Sequence, residues 1–162
     1  MRSLLPQCGD CTPFVERALR AYEPLLTRYG FELVDCSSAH GGQECLLMYR
    51  GKHASLLFLR SDGAEGTAIG DPDAGFPQYG WTGVDGEDGW YSLVGVVEFL
   101  EKKDLKVDKL MREVWRGKVD YYAWEATQAN AAVDRLLSLF APGNPRTWQD
   151  DFAKYARTRT YG

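Results

Sequence analysis

The sequence predicts an α+β protein with a three- to four-stranded, mainly antiparallel sheet packed with several α-helices. Three observations carry this reading. An apolar stripe at helical spacing opens the chain, two apolar runs flank a short Gly51-Lys52 link, and the C-terminal half holds a heptad repeat. The chain has 162 residues, of which 44% are hydrophobic and 26% charged. That composition fits one globular domain over 1–162, with 1–11 and 143–162 as peripheral or partly flexible tails.

Each element has a local reason. Thr12-Pro13 reads as a helix start, a hydroxyl cap followed by proline at the first helical position. Phe14, Ala18, Leu19, Tyr22, Leu25, Leu26 and Tyr29 then recur at three- and four-residue spacing, Pro24 should kink or restart the helix, and Gly30 closes it. Residues 31–38 alternate as a strand does, and 39–43 form a glycine-containing turn. Residues 44–50 and 53–60 are expected to pair across Gly51-Lys52, with Leu47 and Tyr49 sharing a face with Leu57 and Leu59, and Leu46 and Met48 sharing the other with Leu56 and Phe58. Both faces are apolar, so the hairpin should be central and covered on both sides. Gly66–Gly70 has room for a short fourth strand, and 71–90 is too rich in glycine and proline for a regular element. Asp88 is expected to cap a helix near 90–102, and Asp104 to start another with Val107, Leu110, Met111 and Val114 turned inward. A last long helix over about 118–141 carries Val119, Tyr122, Ala126, Ala129, Val133, Leu136 and Phe140 as a heptad seam.

The net charge of −4 hides an asymmetry. Residues 1–60 hold 7 basic and 6 acidic side chains, 61–101 hold none and 9, and 102–162 hold 12 and 8. The basic stretch 102–118 is interleaved with Asp104, Asp108 and Glu113, which reads as a solvated helix face. With a pI near 5.2, nucleic acid is not an expected partner. No run approaches the roughly 20 apolar residues of a membrane span, and the N-terminus lacks the apolar stretch of roughly 7–15 residues that a secretory signal needs. The expected location is cytoplasmic, with no membrane partner.

Motifs for chemistry are sparse. Cys8-Gly9-Asp10-Cys11 has C-x-x-C spacing, but a zinc site needs four ligands, and only Cys36, Cys45, His40 and His53 are there to complete one. Cys8 and Cys11 are therefore the weak metal candidates, no cofactor is expected, and in a reducing cytosol the four cysteines should be free thiols. No nucleophile elbow, P-loop or metalloprotease motif occurs. The remaining candidate is the 71–88 loop, which sets Asp71, Asp73, Asp85, Glu87 and Asp88 among Phe76, Tyr79 and Trp81, with no cation between Arg60 and Lys102. Aromatic anchors within a field of one sign are what a docking surface for a cationic protein requires.

Certain segments also carry a resemblance. They are Arg28-Tyr29-Gly30-Phe31 at the end of the first helix, the hairpin from Leu46 to Arg60, and Trp90-Tyr91-Ser92-Leu93 leading to Val97-Glu98-Phe99-Leu100. Their order over residues 14–140 resembles small bacterial proteins that are similar to immunity proteins of polymorphic toxin systems. The resemblance implies a cytoplasmic antidote that binds a secreted toxin domain and blocks its active site, hence a non-enzymatic inhibitor. Two alternatives stand beside it. One is a small metal-binding or thiol-dependent enzyme using Cys8 and Cys11; the other is an adaptor that forms a homodimer through the Val119–Phe140 helix.

Overall fold

The computed structural model describes residues 6–62, 64–77 and 89–161. A 3-10 turn, Pro6–Cys11, leads into α1, Thr12–Arg28. Phe14, Val15, Ala18, Leu19, Tyr22, Leu25 and Leu26 are its buried face. Pro24 does not restart the helix. It sits on the exposed side, where the amide hydrogen bond that proline cannot make is lost to water rather than to the core. Gly30, at φ +70°, closes α1. Its amide donates to Thr27 O at 3.3 Å and that of Phe31 to Leu26 O at 2.8 Å, a Schellman closure that needs the left-handed conformation glycine adopts freely.

Five strands follow: β1 (Glu32–Ala39), β2 (Glu44–Arg50), β3 (Ser55–Ser61), β4 (Ala64–Gly70) and β5 (Trp90–Ser92). They form one antiparallel sheet in the order β1-β2-β3-β4-β5, one strand more than expected. β1, at one edge, carries a bulge between Leu33 and Asp35 that leaves Val34 39% exposed. The β2–β3 connection spans Gly51–Ala54 rather than two residues, closed by the Gly51 amide donating to Ala54 O at 2.8 Å. Its register sets Leu47 opposite Phe58 and Met48 opposite Leu57. Directly opposed residues share a face, so Leu47 and Tyr49 go with Leu56 and Phe58, the reverse of the expected grouping. The expectation of a hairpin covered on both sides holds: Leu47, Leu56 and Phe58 belong to the large helix-side core, and Met48 and Leu57 join Ala68 and Trp90 in a smaller cluster on the other face.

Trp90 and Tyr91 form a strand, not a helix start, because they point to opposite faces. Trp90 joins Met48 and Leu57, while Tyr91 packs among Phe140, Trp148 and Phe152. The helix begins at Leu93 with Ser92 as its cap, the Ser92 hydroxyl accepting from the Gly95 amide at 3.1 Å. After α2 (Leu93–Glu101) come α3 (Val107–Trp115), α4 (Tyr121–Ala131), α5 (Val133–Phe140) and α6 (Trp148–Tyr161). The single helix expected over 118–141 is divided at Ala132, whose ψ of 10° departs from helical geometry. Trp148 and Phe152 of α6 are buried, so the C-terminal segment is part of the core and not a peripheral tail.

The cysteines depart most from expectation. Cys11, 2% exposed, is joined by a disulfide to Cys45 across 34 residues, with Cα atoms 6.0 Å apart. Cys36 is disulfide-bonded too, and no described cysteine is free. The C-x-x-C spacing is incidental to the Cys11–Cys45 bond, which ties the start of α1 to β2. By loop-closure entropy a bridge of that span contributes about 4 kcal/mol.

Candidate functional site

The acidic loop leaves the sheet at Gly70, a position where only glycine fits. A Cβ there would lie 2.7 Å from the carbonyl oxygen of Gly89 and 3.0 Å from the Trp90 ring. The outgoing and returning chains therefore touch at the neck. Residues 71–77 are then held by side chains from three directions. Arg50 Nη2 donates to Ala74 O at 2.6 Å, the Ser55 hydroxyl to Pro72 O at 3.3 Å, and Trp90 Nε1 to Gly75 O at 3.1 Å. Arg146 Nη2 binds Asp71 Oδ1 at 2.7 Å while also donating to Phe140 O at 3.0 Å, which joins the loop to the end of α5.

This geometry divides the residues expected to bind a partner. Asp71 is spent on Arg146. Phe76 packs partly buried against the Met48, Leu57, Ala68 and Trp90 cluster, so its ring is a structural anchor rather than a free contact. Asp73 is exposed. Tyr79, Trp81, Asp85, Glu87 and Asp88 lie outside the described residues, as does the side chain of Cys8.

Of the cysteines weighed for thiol chemistry, Cys11 and Cys45 are bonded to each other and Cys36 is disulfide-bonded too, so none of these three offers a free thiol. Among the described residues no three His, Cys, Asp or Glu side chains gather as metal ligands. His40 Nε2 lies 3.8 Å from the Glu44 carboxylate, and His53 is exposed at the hairpin tip. The Val119–Phe140 seam is not available to a second copy either. Tyr122, Ala126, Ala129, Leu136 and Phe140 are all at most 4% exposed, packed into the chain's own core. No helix of the described residues is long and apolar enough to cross a membrane.

Sequence reasoning missed one polar cluster altogether. Glu125 of α4 is 1% exposed, directly under the sheet. Its Oε1 accepts from the Tyr22 hydroxyl of α1 at 2.5 Å and from the Thr67 hydroxyl of β4. The Tyr121 hydroxyl also acts on this carboxyl, and the Tyr122 hydroxyl donates to Leu59 O at 3.2 Å and Gly66 O at 3.3 Å. Burial raises the Glu125 pKa above the usual carboxylate range, against the opposing pull of the Thr67 and Tyr22 hydrogen bonds. Burial likewise pushes the Tyr22 and Tyr122 hydroxyls well above the ordinary tyrosine value. Close by, Arg17 grips Glu65 with two bonds of 2.6 and 2.7 Å, and Arg60 lies 3.7 Å from the same carboxylate. Perturbed groups gathered in this way resemble a catalytic constellation, but these hydroxyls and the carboxyl are sealed from solvent, and what they do is lock α1 and α4 to the sheet. A glutamate between Tyr122 and Ala126 of the apolar seam was the signal available in the sequence.

Compared with known proteins, the chain matches no family model, no curated protein and no solved structure.

Proposed function

We propose that this chain is a non-enzymatic protein-binding inhibitor, of the toxin-immunity type its sequence resembles, that occludes a basic partner surface with its acidic aromatic loop. The observation that carries the reading is the anchored neck. Four side chains fix the loop's first residues to the sheet and to α5, which lowers the entropy an extended acidic loop must give up on binding. Within the acidic block 61–101, Glu65, Asp71 and Glu101 are neutralised by Arg17, Arg146 and Arg135. Asp73 and, by sequence, Asp85, Glu87 and Asp88 remain to attract a cationic partner.

The cysteine pairing bears on where this happens. Disulfides persist in oxidising compartments, so the oxidised state of the described cysteines supports residence outside the reducing cytoplasm, in place of the cytoplasmic location expected from the sequence. Acid quenching of cells followed by thiol alkylation and mass spectrometry should find Cys11 and Cys45 unalkylated.

The partner to test is the basic C-terminal domain of a secreted protein encoded beside this chain. Reversing Asp85, Glu87 and Asp88 to lysine should slow association by about tenfold or more at low ionic strength and little at high salt. An on-rate indifferent to both would refute the proposal.

A further inference from the structure

α2 ends in a left-handed lysine. Lys102, at φ +54°, and Lys106, at φ +56°, both occupy the conformation that glycine adopts freely and a lysine adopts at a cost. The chain between them is fixed by its backbone amides. Those of Lys102 and Lys103 donate to Glu98 O, the second at 3.3 Å. That of Leu105 donates to the Glu98 carboxylate, 5% exposed, at 2.8 Å, and that of Lys106 to Asp104 Oδ1 at 2.7 Å. This link borders an open depression of about 440 Å³ lined by Phe99, Lys102, Lys103, Asp104 and Tyr155. The Phe99 and Tyr155 rings are half-buried, with centroids 5.8 Å apart and planes 56° from parallel. The buried ring of Phe152 backs them at 5.6 Å and 6.5 Å.

We propose that this depression binds a small, flat aromatic anion, a ring bearing a carboxylate or a phosphate. The ring packs against Phe99 and Tyr155, and the anionic group meets Lys102 and Lys103. The volume is that of an ordinary small-molecule pocket. Half-buried aromatic rings backed by a third keep apolar and π surface for one more ring. The sign of the charge follows from the neighbouring acids. Glu98 accepts from the Leu105 amide, Glu101 is paired with Arg135, and Asp104 accepts from the Lys106 amide, while Lys102 and Lys103 are exposed. The depression is therefore positive, which disfavours a cationic ligand. A neutral apolar ligand would gain nothing from the lysines, and a bare inorganic anion nothing from the rings. Left-handed residues other than glycine gather at ligand clamps, and here the strain sets an ammonium group at the rim. None of these residues belongs to the acidic loop, so the inference stands apart from the inhibitor reading.

The test titrates the full chain with 1-naphthoate and with AMP, which carry the two anionic groups on flat rings. Inorganic phosphate and adenosine each carry half of the pattern. Calorimetry gives the affinity, and backbone amide chemical shifts give the place. At least one of the two aromatic anions should bind once per chain with a Kd below about 1 mM. It should move the amides of 99–105 and of Tyr155, and adenosine and phosphate should bind more weakly. The tighter of the two assigns the anionic group as carboxylate or phosphate. Lys102→Gly with Lys103→Gln should weaken binding about tenfold, from roughly threefold per exposed cation. The melting temperature of that variant should not fall, because glycine takes the left-handed turn without strain. Tyr155→Leu should weaken binding through the ring instead. The proposal is overturned if neither aromatic anion binds up to about 1 mM. It is also overturned if adenosine or phosphate binds as tightly, if the shifts fall elsewhere, or if affinity survives the lysine pair.

Discussion

α3 and α4 are consecutive helices of nine and eleven residues, joined across Gly117, and they bury their apolar residues to different depths. α3 has the cleaner stripe, yet Val107, Leu110, Met111 and Val114 are only half-buried and Trp115 is exposed. α4 mixes aromatic, small and charged residues, yet buries Tyr122, Glu125, Ala126 and Ala129. The difference lies in what meets each helix. Ala126 and Ala129 let α4 approach closely, and Tyr122 and Glu125 find their polar partners in α1, β3 and β4. Amphipathic spacing states that a helix has an apolar side; whether the fold covers that side depends on small residues and matched hydrogen bonds.

The comparison breaks most visibly at Tyr122. Its ring touches Phe14, Tyr22, Phe58 and Tyr121, and its hydroxyl serves two strand carbonyls. Tyr122→Ala should cost about 3–5 kcal/mol in chemical denaturation. Glu125 gives a smaller effect with a distinctive pH signature. Because its folded pKa is raised, the proton it holds stabilises the fold fully below the ordinary carboxylate range, and that contribution falls as pH rises toward the raised value. The parent should therefore lose stability with rising pH above the ordinary carboxylate range, and Glu125→Gln should flatten the slope. An equally steep slope in the variant would assign it to other groups. The smallest effect belongs to α3, where Leu110→Ser, at a half-buried position, should cost about 1 kcal/mol. A loss like that at Tyr122 would mean the stripe is covered after all.

How much of this was legible follows the same division. The α+β class, α1, the central hairpin and the seam residues rest on periodicity, and each of those patterns reports burial within one element. The division at Ala132 carries no proline or glycine to mark it. Trp90-Tyr91 reads as the start of an apolar helix until the sheet supplies a face for each ring. The Cys11–Cys45 bond joins residues that only the fold brings together. Of the candidate loop, Asp71 and Phe76 had the residue types of a binding site, but Arg146 and the Met48 cluster, distant in sequence, claim them for structure.

The bulge in β1 has a bearing on colloidal behaviour. An edge strand with a full row of free backbone donors and acceptors can template the addition of another chain, the first step toward fibrils. Here the eight-residue edge is interrupted at Leu33–Asp35, where the Asp35 carboxylate takes the Cys36 amide at 2.7 Å, and the opposite edge is a strand of only three residues. A sheet broken at one rim and cut short at the other can be held at high concentration without growing from its ends.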